Sequence, residues 1–152
     1  MEAVSRGAKE AGGYTVAVTA KSFSSRANPW IDEEIRVATW QERLFELIAR
    51  AQGYVACPGG TGTLAELAIV WEMLNKGVMR QKPMIVLGNF WQPVIQCVRE
   101  LETGHDPRWS EREAIYSAAT PAEAAELLSV RFAENPSARQ TKLGPQRKRA
   151  SR

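Results

Sequence analysis

One segment of this 152-residue chain combines residue types that can do chemistry: Cys57-Pro-Gly-Gly-Thr-Gly-Thr-Leu-Ala-Glu66. Its glycines allow the backbone to turn sharply and approach a ligand closely. With a helix beginning just after them, the amides of Gly60, Thr61, Gly62 and Thr63 point outward at a helix N-terminus. Unpaired N–H groups and the helix dipole favour an anion there, most often a phosphate. Thr61 and Thr63 add hydroxyl donors. The competing account is a connector whose glycines serve only tight packing. No Lys-Ser/Thr follows the loop and no strict Gly-x-Gly-x-x-Gly is present, which disfavours ATP hydrolysis and standard NAD binding.

Two charged residues stand near this loop. Glu66 is expected in the first turn of the following helix. It either complements the helix dipole there or acts as a carboxylate beside a bound phosphate-sugar. Arg43 lies on the preceding helix, where it is either a solvated surface charge or a group that reaches the same strand end. His105-Asp106 has the look of a dyad, but it sits before a proline in a loop without a serine or cysteine nucleophile, and no catalytic role is assigned. Trp30, Trp40, Trp71, Trp91 and Trp109 read as packing residues rather than a base-stacking platform.

The elements that position these residues alternate between short apolar strands and amphipathic helices. Apolar residues at 1, 4, 8 and 11 predict a helix that Gly12-Gly13 stops. Strands are expected over Tyr14–Thr19, Gly53–Cys57 and Met84–Leu87, with briefer ones at Arg36–Thr39 and Ala114–Ala118. Helices are expected over Trp40–Ala51, Thr63–Asn75 and Gln92–Leu101. A last helix, entered through Thr120-Pro121 with Glu123 three residues after the threonine, runs to Phe132. Lys21–Asp32 and Thr103–Glu113 read as polar loops. The pattern predicts an α/β fold, a Rossmann-like doubly wound parallel sheet with helices on both faces. Residues 1–134 form the expected domain and residues 135–152 a disordered basic tail.

Composition narrows the function classes. At 44% hydrophobic and 24% charged the chain is globular rather than disordered. The net charge of +3 hides an asymmetry: six of the 20 basic residues lie in the tail, which has no acid, so the body carries 17 acids against 14 bases. Nucleic acid is therefore not an expected partner of the folded body. The charged N-terminus and the lack of a long apolar run argue against a signal peptide and a membrane span. Two cysteines, Cys57 and Cys97, fit a reducing cytoplasm rather than a disulfide scaffold. With His105 the only histidine, no metal site is expected.

Pro58-Gly-Gly-Thr-Gly-Thr-Leu-Ala-Glu66, with Arg43 fifteen positions before the proline, resembles the LOG-type nucleotide phosphoribohydrolases, Rossmann-like proteins formerly labelled lysine decarboxylase-like. The hallmark of that family is Pro-Gly-Gly-x-Gly-Thr-x-x-Glu, and all six fixed positions are present. The resemblance spans most of residues 1–100. It implies hydrolysis of the N-glycosidic bond of an AMP-like nucleoside 5′-monophosphate to free base and ribose 5-phosphate. Arg43 and Glu66 match the catalytic pair. Gly59, Gly60, Thr61, Gly62 and Thr63 match the loop that holds the 5′-phosphate and ribose. No cofactor is implied, and a homodimer is, with Trp40 and Trp71 as candidate interface residues.

The chain departs from that family at Leu44, where cytokinin-activating members carry a lysine after the arginine. The family's first strand, first glycine loop and next strand and helix are expected upstream of Met1, so the chain reads as N-terminally truncated. The rival reading is a non-catalytic nucleotide or molybdenum-cofactor carrier on the same scaffold. A lysine decarboxylase is rejected because none of Lys9, Lys21, Lys76 and Lys82 follows a pocket-like motif.

Overall fold

The structure, a computed structural model, describes residues 1–23, 27–105 and 114–134. It is mixed α/β and Rossmann-like, with every described strand parallel to its neighbours. The strands form a two-stranded and a three-stranded ladder, and the chain divides into two compact units, Met1–Arg50 and Ala51–Arg152. The parallel arrangement agrees with the sequence reading. Asp106, Trp109 and the basic tail lie outside the described residues.

The first unit holds α1 (Glu2–Glu10), β1 (Val16–Ala20), β2 (Glu33–Val37) and α2 (Trp40–Arg50). Helix α1 ends where Gly12 takes φ +78°, a conformation that suits glycine. The Gly12 amide donates to the Lys9 carbonyl and the Gly13 amide to that of Ala8, closing the helix end. Strands β1 and β2 pair with Val16 opposite Glu33 and Ala20 opposite Val37. The second strand thus starts three residues before its expected position, next to the stretch read as a loop. Two acids at Glu33 and Glu34 mask it in the sequence, and the ladder with β1 supplies what propensity does not. Helix α2 packs on both strands, and Leu44 and Ile48 are its buried residues.

A capping box that was not anticipated starts α2. The Thr39 hydroxyl accepts from the Glu42 amide at 3.1 Å, and the Glu42 carboxylate accepts from the Ala38 amide at 2.8 Å. The expected box at Thr120 and Glu123 has the same form, with distances of 3.2 and 2.7 Å.

The second unit holds β3 (Tyr54–Ala56), α3 (Thr61–Asn75), β4 (Met84–Leu87), α4 (Gln92–His105), β5 (Tyr116–Ala118) and α5 (Pro121–Glu134). Strand β4 is central, pairing with β3 on one side and β5 on the other. Its Met84, Ile85 and Val86 are fully buried, as a strand covered on both faces requires. Ile85, Ala118 and Ala124 form a core cluster that Leu87, Tyr116, Leu127 and Leu128 extend. Because the three strands are parallel, the turns that follow them lie at one edge of this ladder. Helix α4 runs to His105, four residues beyond its expected end, where the His105 Nδ1 lies 2.8 Å from the Leu101 carbonyl oxygen. Among the described residues no helix is long and apolar enough to cross a membrane.

One polar cluster ties the loop before β1 to the segment before β2. The Asp32 carboxylate accepts from the Thr15 amide at 2.8 Å, from the Thr15 hydroxyl at 2.9 Å and from Lys9 Nζ at 2.5 Å. The lysine, followed by the threonine amide, holds the Asp32 carboxyl at about 2, below its ordinary 3.8. A depressed carboxyl stabilises the fold above its unfolded value and loses that contribution as pH falls towards the folded one. Thermal melting of the wild type and Asp32→Asn should therefore differ by a constant amount above about pH 5, and the gap should close between about pH 4 and pH 2. A gap independent of pH would show that the charge of Asp32 contributes nothing.

Candidate functional site

The glycine-rich segment joins β3 to α3 in the second unit. The β3–β4 pairing ends at Ala56 opposite Val86, and Cys57-Pro58 leads the chain off the sheet edge. Gly60 is the N-cap of α3, extended at φ −89° and ψ −158°, and no side chain caps the helix. The first helical bond runs from the Leu64 amide to the Gly60 carbonyl at 3.0 Å. The amides of Gly60, Thr61, Gly62 and Thr63 therefore precede the first intrahelical donor, where an anion is favoured.

The helix begins at Thr61, two residues earlier than expected, because Thr61 and Gly62 already adopt helical geometry. That corrects the placement of Glu66, which lies in the second turn, with no acid in the first. The dipole account of Glu66 loses most of its force, since the effect falls off within the first turn. Glu66 instead sits four residues after Gly62 and three after Thr63, on the helix face they share, and it is half-buried.

The three glycines of the loop differ in what they do. A Cβ on Gly59 would collide with the Thr63 hydroxyl and lie 3.0 Å from the Thr63 Cβ, so packing alone accounts for glycine there. Nothing lies within 4 Å of a Cβ placed on Gly60 or Gly62, and neither has a positive φ. Gly60 holds the N-cap of α3, where glycine is among the preferred residues; for Gly62 neither packing of a Cβ nor a positive φ gives a reason for glycine.

The neighbouring turn at the same edge, after β4, contributes Trp91. This residue is 3% exposed, as its grouping with the packing tryptophans anticipates, but its indole N–H also donates to the Cys57 carbonyl at 3.0 Å. Sequence reasoning missed that contact. The available signal was an N–H-bearing aromatic four residues past a strand, adjacent to the turn that carries the motif.

Arg43 belongs to the first unit. It is half-buried on α2, and its Nε donates to the Val18 carbonyl at 3.0 Å, so it is anchored rather than freely solvated. Leu44, one position on, is 2% exposed and faces the interior. The structure thus gathers Gly59, Gly60, Thr61, Gly62, Thr63 and Glu66 on one strand–turn–helix, while Arg43 comes from a separate unit. Trp71 is 8% exposed and Trp40 half-buried. Among the described residues no three His, Cys, Asp or Glu side chains group as a metal site would need.

The family described as possible lysine decarboxylase matches residues 1–128 of the chain. A cytokinin riboside 5′-monophosphate phosphoribohydrolase from Mycobacterium marinum (strain ATCC BAA-535 / M) is 39% identical over 89 residues, which cover 57% of this chain and 47% of that protein. The chain therefore matches about half the length of this curated relative.

The glycines yield a stability test. Gly59→Ala should lower stability by roughly 1–3 kcal/mol through overpacking against Thr63. Gly60→Ala should cost about 0.5–1 kcal/mol, alanine being a poor N-cap, and Gly62→Ala should leave stability unchanged or raise it, alanine being the better helix residue. Denaturant titration of the three variants checks the order; a loss at Gly62 equal to that at Gly59 would restore the packing account.

Proposed function

The chain belongs to the family described as possible lysine decarboxylase, the LOG-type family, and on that premise we propose that it is a nucleoside 5′-monophosphate phosphoribohydrolase. The observation that carries the reading is the open space over Gly60 and Gly62 at an uncapped helix start. A 5′-phosphate fits that space, where the amides of Gly60, Thr61, Gly62 and Thr63 meet its oxygens and Gly59 keeps Thr63 folded against the loop. The name of the Mycobacterium marinum relative supports a nucleotide substrate and hydrolysis of the bond between its base and its ribose phosphate.

In the proposed reaction the bond between ribose C1′ and the base nitrogen breaks, and the base leaves with the bonding electrons and takes up a proton. Water supplies the hydroxyl that bonds to C1′, and the proton it releases balances the one the base takes up. Positive charge accumulates on the ribose as the bond lengthens, and the Glu66 carboxylate stabilises it while orienting the water. Fixing the phosphate end holds C1′ at a constant position relative to Glu66. Arg43 is the proposed group that orients the substrate or supports the departing base. A homodimer in the cytoplasm belongs to the same proposal.

Decarboxylation is a poor match for the lysines. A lysine that condenses with a carbonyl cofactor needs a free amine in a desolvated pocket. Lys9 is paired with Asp32, and Lys76 follows the far end of α3 beside Glu72. Lys82 donates to the Ala51 carbonyl just before β4, at the opposite edge from the glycine turn, and Lys21 is exposed.

Release of free base from a panel of nucleoside monophosphates tests the reading, using this chain and an upstream-extended form. Release is expected to fall by roughly 10²- to 10⁴-fold in Glu66→Gln, while phosphate binding persists. Undiminished turnover in that variant would sink the glycosidase mechanism. Nucleotide bound by both forms without base release points to the carrier instead.

A further inference from the structure

We propose that Trp91 is a positioning residue for the phosphate loop, acting through its indole N–H on the carbonyl of Cys57; this rests on the phosphate-binding reading above. Ala56 opposite Val86 is the last pair of the β3–β4 ladder, and Pro58, next in line to bond β4, brings no amide to continue the pairing, so the Cys57–Pro58 peptide is where the chain leaves the sheet. The Trp91 indole supplies the donor, at 3.0 Å. The peptide it holds is the one joining Cys57 to Pro58, immediately before Gly59, and its orientation sets the direction in which the loop leaves the sheet.

The indole is itself held from several sides. Trp91 is 3% exposed, its ring meets the edge of Phe90 at 4.8 Å and 85°, and its carbonyl accepts from the Ile95 amide at 3.0 Å in the first turn of α4. The turn that carries it is anchored at Gly88, whose amide donates to the Ala118 carbonyl at 2.7 Å. Support therefore runs from β5 through the β4 turn to the loop after β3, all at one ladder edge. From Gly60 onward the loop is held by the start of α3, where the Leu64 amide donates to the Gly60 carbonyl at 3.0 Å, and the Trp91 indole holds its other end at Cys57. A bond at that point stabilises the loop in one geometry and lowers the ordering cost of binding.

The test compares inorganic phosphate, ribose 5-phosphate and ribose as ligands of the full chain, by calorimetry. Trp91→Phe keeps an aromatic ring and removes the N–H. Ile95→Val softens the packing of the same helix without touching Cys57. The expected result is that Trp91→Phe weakens phosphate and ribose 5-phosphate binding about five- to tenfold, the scale of one hydrogen bond. Ribose binding should weaken less than phosphate binding, and Ile95→Val should match the wild type for all three ligands. Equal phosphate affinity in Trp91→Phe and wild type overturns the inference, as does an equal loss in Trp91→Phe and Ile95→Val, which marks a general packing role. Absence of phosphate binding in the wild type overturns the phosphate-loop reading itself and this inference with it. If Trp91→Phe does not fold, benzothienylalanine at position 91, which puts sulfur in place of the N–H, carries the same comparison.

Discussion

Pro58 has no amide hydrogen, and the local structure of the candidate site depends on that constraint. A parallel ladder continues only while every second residue offers its donor and acceptor to the neighbouring strand, and Pro58 is the next such residue beyond β3. The β3–β4 ladder ends one residue before Cys57, and the chain must leave the sheet there. It leaves through a short glycine turn into a helix start with no side-chain cap. The donors that a longer strand would have committed to the sheet, or a serine cap to itself, stay available at the sheet edge. At the same break the Trp91 indole, from the neighbouring turn, donates to the Cys57 carbonyl.

The contrast within the glycine triplet separates architecture from binding. Gly59 is required by Thr63, whose side chain folds back over the loop. Gly60 and Gly62 meet nothing and adopt unexceptional backbone angles. Glycine inside a helix has an entropic cost that alanine avoids, so Gly62, helical and without a packing reason, is a local inconsistency, whereas Gly60 holds an N-cap that suits glycine. Such inconsistencies concentrate where function overrides stability. Glu66 obeys the same logic from the other side: in the second turn it gains little from the helix dipole, so its placement has little to do with helix electrostatics.

Elsewhere the units are held by conventional means. Two threonine–glutamate capping boxes start α2 and α5. Asp32 binds Lys9 and Thr15, so that one carboxylate joins the end of α1, the approach to β1 and the approach to β2. Apolar packing of α2 on β1 and β2, and of α5 on β4 and β5, supplies the remainder. These devices put the turn after each strand at a defined edge, which gives a short motif a fixed direction.

Much of this was legible in the sequence because it depends on local chemistry. The hydrophobic period identified the helices and the buried strand Met84–Leu87, Gly12 marked a helix end, and Thr120 with Glu123 marked a helix start. The motif itself needed only its residue types and their order. Strand β2 was misplaced because its acidic residues contradict strand propensity, and only pairing with β1 reveals it. The second-turn position of Glu66 was invisible because a Thr-Gly-Thr run gives no signal for which residue opens the helix. The indole contact to Cys57 joins residues 34 apart, and no local pattern carries it. Sequence alone therefore determined which residues form the loop and that it lies between a strand and a helix, since both depend on neighbours along the chain. Which of its glycines are packed and which stand open, and what holds its entrance, only the tertiary structure decided, because those depend on atoms brought near by the ladder.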